Sequence, residues 1–78
     1  MNFSPSFSDL FRQTVRRVRL EKGLSQERLA VLAGLDRTYL SGFERGTRNI
    51  SLVSLGKIIN GLGLEPTEFL AVVRDEKG

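Results

Sequence analysis

A chain of 78 residues with no cysteine, no tryptophan and no histidine has the length of one small domain, and it lacks the residues from which most metal and catalytic sites are built. Disulfides, thiolate sites and imidazole ligands are excluded, and with them Ser-His and Cys-His nucleophile pairs and the commonest general base. The net charge is +3, but residues 1–50 hold nine Arg and Lys against five Asp and Glu, while residues 51–78 hold three against four. Cations gathered in this way suit phosphate contact through counterion release, or simply keep helices soluble.

No apolar run approaches the roughly 20 residues of a membrane helix, and the N-terminus MNFSPSFSDLF has no basic segment followed by an apolar one. The expectation is a soluble, unsecreted protein of a reducing cytoplasm, with no metal, cofactor or small-molecule ligand evident and no residues arranged for catalysis. A domain this small buries only about 60% of its unfolded surface, so a partner subunit would help it.

Residues 1–7 contain Pro5 and two serines and read as a flexible N-terminal arm, with Phe3 and Phe7 available to pack back. The folded domain is expected over 8–74. From about Ser8 to Lys22 the apolar positions Leu10, Phe11, Val15 and Val18 keep helical spacing, and Gly23 supplies a stop.

The segment Leu24 to Gly46, LSQERLAVLAGLDRTYLSGFERG, has the register of a helix-turn-helix. Ser25 is placed to cap a short second helix that buries Leu29, Ala30, Leu32 and Ala33, with Glu27 near its positive end. Two helices joined by a tight turn cross steeply, so Ala30 is the small side chain that lets their backbones approach. Gly34 suits the left-handed position after a helix, and Leu35 would face the core across the turn. Asp36 then caps a third helix with Leu40 and Phe43 inward and Arg37, Thr38, Ser41, Gly42 and Arg45 outward. A polar outer stripe is ordinarily just a solvated face. The combined small, apolar and capping positions over about twenty residues argue instead for DNA reading.

Ser51 can cap a fourth helix burying Leu52, Leu55, Ile58, Ile59 and Leu62, which Gly61 and Gly63 close. Pro66 fits the first position of a fifth, with Leu64 and Phe69 spaced as a hydrophobic staple. Phe69, Leu70, Val72 and Val73 leave that helix apolar on more than one face. Two readings stand: a core helix, or a homodimer seam of Leu62, Leu64, Phe69, Leu70 and Val73. Residues 75–78 are expected to fray. The predicted fold is all-α, a five-helix domain without repeats.

The pattern RxxR before GLSQ, then LA, G, a third helix ending in ERG and a later apolar helix resembles the lambda-repressor-like, or Xre-type, helix-turn-helix family over about Val15 to Leu70. Within it, RTYLSGFERGTRN looks most like the controller proteins of restriction-modification systems. The resemblance implies a homodimeric transcriptional regulator on a short palindromic operator in double-stranded DNA, bacterial or phage-encoded. A phage-type repressor, or an antitoxin or anti-repressor working mainly through protein contacts, are the alternatives.

By position, the resemblance puts Gln26 at the start of the first motif helix, where its amide can anchor a phosphate and orient the reading helix, and Arg37 and Thr38 at bases. The chemistry agrees, since arginine can bond guanine at two atoms and threonine can meet a thymine methyl. Ser41 is divided between base contact and a bond back to its own helix. Tyr39, Arg45, Arg48, Asn49 and Ser51 match sugar-phosphate contacts, with Tyr39 equally suited to half-buried packing. Arg19 and Glu44 match a structural ion pair between the first and third helices. Gly42 departs from the longer polar residue of many phage repressors, and close approach to DNA or a neighbouring helix would compensate its cost of about 1 kcal/mol in helix propensity.

Overall fold

The computed structural model describes residues 6–76 and contains, among them, helices α1 (Phe7–Glu21), α2 (Gln26–Ala33), α3 (Arg37–Arg45), α4 (Leu52–Gly61) and α5 (Pro66–Glu76). Most of the predicted arm, residues 1–5, lies outside the described residues. Ser6 and Phe7 do not belong to an arm: Ser6 caps α1 by accepting from Asp9 N at 3.1 Å, and Phe7 is its first helical residue. The predicted fraying point after Arg74 also shifts, because α5 runs through Asp75 to Glu76, with residues 77–78 outside the description.

Local signals start and stop each element of the motif. The side chain of Ser25 accepts from Arg28 N at 2.9 Å and that of Asp36 from Thr38 N at 2.9 Å. Each satisfies a backbone donor that a helix start leaves without a partner. Gly34 and Gly46 end α2 and α3 in the left-handed region, at φ +70° and +82°, where a side chain would be strained. Ser51 caps α4 by accepting from Ser54 N at 3.0 Å. Glu68 reaches back to accept from Glu65 N at 2.7 Å, a contact that complements Pro66 in the first turn of α5.

The core takes one stripe from every helix: Val15 and Val18, Leu29, Ala30 and Ala33, Leu40 and Phe43, then Leu55, Ile58, Ile59 and Leu62, and finally Phe69 and Val73. The rings of Phe11 and Phe69 meet edge-on with centroids 5.6 Å apart, joining α1 to α5. A Cβ added at Gly61 would lie 3.1 Å from the Ala33 backbone nitrogen, so α4 presses on α2 with backbone nearly touching backbone. Ala30 is buried as predicted, and its carbonyl accepts from Leu35 N at 2.9 Å to close the turn.

Three expectations about packing are corrected. Leu32 is exposed, because the inward face of α2 is set by Leu29, Ala30 and Ala33 and Leu32 falls on its flank. Leu52 is 84% exposed although it continues the α4 stripe, since it opens the helix beyond the body that covers Leu55 and lines a groove with Phe7, Phe11 and Ile50. Gly42 is buried rather than outward, for a reason that belongs to the loop after α3.

Candidate nucleic-acid interface

The outer side of α3 begins with Arg37 and Thr38, both exposed. One turn on, half-buried Ser41 accepts a hydrogen bond from Arg45 Nη1 at 2.7 Å. The hydroxyl therefore serves a side chain of its own helix and sets the direction of a cation. Ser41 reaches a base only alongside or after that bond.

Beyond Gly46 the chain folds back over α3. The backbone nitrogens of Thr47 and Arg48 donate to the Gly42 carbonyl at 2.9 and 3.2 Å, and the Thr47 hydroxyl donates to it at 3.2 Å. A Cβ at position 42 would stand 3.1 Å from Cβ of Arg48, so the glycine admits this loop rather than DNA or another helix. The loop carries Arg48 over the half-buried ring of Tyr39, its guanidinium carbon 5.8 Å from the centroid, within cation–π range. Asn49 and Ser51 follow, both exposed, with the Ser51 side chain engaged in capping α4.

Behind this face stands the expected ion pair. Arg19 Nε donates to Glu44 Oε2 at 2.8 Å and Arg19 Nη2 to Oε1 at 2.9 Å, a two-pronged contact whose side chains are 8% and 2% exposed. A further Arg19 nitrogen, Nη1, donates to the Leu24 carbonyl at 2.8 Å and ties α1 to the chain entering α2. Gln26 also reaches α3, its amide nitrogen donating to Glu44 Oε1 at 3.0 Å. Burial explains this, because a carboxylate removed from water draws in every donor within reach.

Sequence reading missed Arg12. Its Nε lies 3.0 Å from where a Cβ on Gly46 would be, so it sits against the end of α3, and Asp9 holds it there at 2.6 Å. The Arg12 hydrogen bond, with a smaller share from Ser6, keeps the Asp9 carboxyl below its ordinary range. The three-residue spacing of Asp9 and Arg12 was the only signal available.

Arg37, Thr38, Ser41 and Arg45 share one helix, Tyr39 and Arg48 meet beside it, and Gln26 turns inward. Among the described residues no cluster of acids could hold a metal ion, and no helix is long and apolar enough to cross a membrane. A family model described as helix-turn-helix, HTH_3, matches residues 15–69. The chain belongs to the helix-turn-helix family. Control protein C.BamHI of Bacillus amyloliquefaciens is 52% identical over 62 residues, 78% of this chain and 76% of that protein. Control protein C.MunI of Mycoplasma sp is 45% identical over 67 residues, 85% and 90% of the two chains. The crystal structure of the restriction-modification controller protein C.Esp1396I superposes with a TM-score of 0.86 at 40% identity, covering 92% of this chain and 96% of that one. A similar structure holds C.Esp1396I as a tetramer on its natural 35 base-pair operator. Like these helix-turn-helix relatives, the chain is a DNA-binding regulator and not an enzyme.

Proposed function

We propose that this chain is a sequence-specific transcriptional regulator of the restriction-modification controller type, acting as a homodimer on a short palindromic operator in the cytoplasm of its host cell. The observation that carries the reading is an exposed α3 start bearing Arg37 and Thr38 on a helix whose back is fixed by a buried, two-pronged ion pair. Base reading needs a donor set at a fixed angle in the major groove, and that arrangement supplies one. Arg45, Arg48 and Asn49 flank it as phosphate contacts, and Tyr39 holds Arg48 in place.

The chain's own core takes up most of the expected seam. Leu62, Phe69 and Val73 are filled by the chain's own core, and Leu64 is half-buried against it, which leaves only Leu70 of the predicted seam exposed. Leu52 and Val53 at the start of α4 are exposed apolar side chains of the same half and join Leu70 as seam candidates. The covering of Phe69 and Val73 reduces the apolar surface of α5 that favoured a protein-interaction module, whether antitoxin or anti-repressor, to Leu70.

Selection of a bound sequence from random duplexes, followed by two substitutions, tests the assignment. Arg37→Ala should lose about 1 to 3 kcal/mol per half-site on the selected operator and little on random DNA. Arg48→Ala should weaken both and reduce the salt dependence by about one unit of slope. No enriched sequence, or the two substitutions exchanging these effects, would overturn it.

A further inference from the structure

Asp9 and Arg12 precede the helix-turn-helix match, which begins at residue 15, yet Arg12 packs against the exit of the reading helix. A Cβ built on Gly46 would stand 3.0 Å from Arg12 Nε, 3.3 Å from Cζ and 3.6 Å from Cδ. The guanidinium therefore covers the side of that α carbon from which a side chain would project. Gly46 is the joint between α3 and residues 47–49, and a glycine at φ +82° gives such a joint more freedom than any other residue would. Hydrogen bonds from the Thr47 and Arg48 nitrogens to the Gly42 carbonyl restrain the joint from within the loop, and Arg12 restrains it from α1. Arg12, Gly46, Arg48 and Asn49 line one groove.

An arginine side chain has many rotamers, and Asp9 selects one. Arg12 Nε, at 3.1 Å, and Nη2, at 2.6 Å, both donate to Asp9 Oδ1, which fixes the plane of the fork. The Arg12 and Asp9 side chains are 26% and 39% exposed, and a pair so open to water adds little to stability. What the pair achieves is the placement of Arg12.

We infer that Arg12, held by Asp9, is a positioning residue for the DNA backbone contacts: by covering Gly46 it sets the direction in which the chain leaves α3, and so where Arg48 and Asn49 meet phosphate. The inference rests on the assignment of those two residues as phosphate contacts under the proposed function.

Charge and positioning give opposite signs for Asp9→Ala. Removing a carboxylate raises the net charge of +3 by one, which by itself should tighten binding to any duplex. If Asp9 holds Arg12 over Gly46, the same substitution should instead weaken binding to the selected operator and to random DNA alike, about threefold or more, with the preference between them kept. Arg12→Met keeps the apolar stem and removes the fork, and should weaken binding to both DNAs as well. In an Arg48→Ala background Asp9→Ala should cost less affinity than in the parent protein, because one of the contacts it positions is already gone. Tighter or unchanged binding by Asp9→Ala, an equal loss in the two backgrounds, or a loss on the operator alone would each overturn the inference. Melting temperatures of both variants are measured alongside. A drop as large as that of Glu44→Ala would make the pair purely structural and equally overturn it. Wild-type protein that prefers no sequence would bring down the proposed function before any substitution; wild-type protein that selects an operator which Asp9→Ala binds more tightly would bring down this inference alone.

Discussion

Helices α1 to α3 and helices α4 to α5 are held together by different chemistry. Among the described residues every buried polar or charged side chain, Thr14, Arg19 and Glu44, stands in α1 or α3. The last two helices bring only apolar side chains to the core: Leu55, Ile58, Ile59, Leu62, Phe69 and Val73. Apolar burial has no direction, whereas a guanidinium fork on a carboxylate fixes distance and plane. The first half therefore adds a fixed angle to its apolar burial, and the second supplies burial alone. A helix that must present Arg37 to a base edge depends on its angle, so directional contacts are concentrated behind it.

Breaking the buried pair is the strongest way to test that division. Glu44→Ala leaves Arg19 charged and without its partner inside the domain, and it should cost about 3 to 5 kcal/mol in urea unfolding. A loss below about 1 kcal/mol would mean that Arg19 finds water and that the pair sets no angle.

In the apolar half, Leu70→Asp and Val53→Asp place a charge on exposed side chains and should leave the fold intact while converting dimer to monomer in sedimentation. Operator binding should then fall more than about tenfold, because the half-sites no longer act together. If both variants sediment as dimers, the seam lies elsewhere.

A smaller effect belongs to Gly46, which ends α3 at φ +82° against Arg12. Gly46→Ala should cost about 1 to 2 kcal/mol through the left-handed backbone alone, measured as a lowered melting temperature. Gly34→Ala has the same strain without the neighbour, for nothing lies within 4 Å of its added Cβ. The difference between the two melting temperatures reports what Arg12 contributes at the end of the reading helix.

The smallest expected effect is that of pH. Asp9 is held below its ordinary value of 3.8, so what it adds to stability is complete above that value and is lost as pH falls through the lower folded one. With no histidine in the chain, stability and operator affinity should both be flat from about pH 6 to pH 8 at fixed salt. A tenfold change in affinity across that window would point to a titrating group that neither half contains.

Sequence by itself determined what is settled within a few residues. Ser25, Asp36 and Ser51 cap their helices, Gly34 and Gly46 end them and Pro66 opens the last, because each matter is closed within two to four positions along the chain. The inward positions Leu40 and Phe43 of α3 were legible for the same reason. Tertiary structure alone decided what covers a given face. Gln26 meets Glu44 across 18 positions, and Phe69 finds the ring of Phe11, which assigns it to the chain's own core and not to a partner's. Leu52 stays uncovered although its spacing matches Leu55, and Gly42 is covered by a loop although its spacing matches the outward stripe. Periodicity defines the side of a helix on which a residue lies; whether anything packs there depends on segments distant in the chain, and no local signal carries that information.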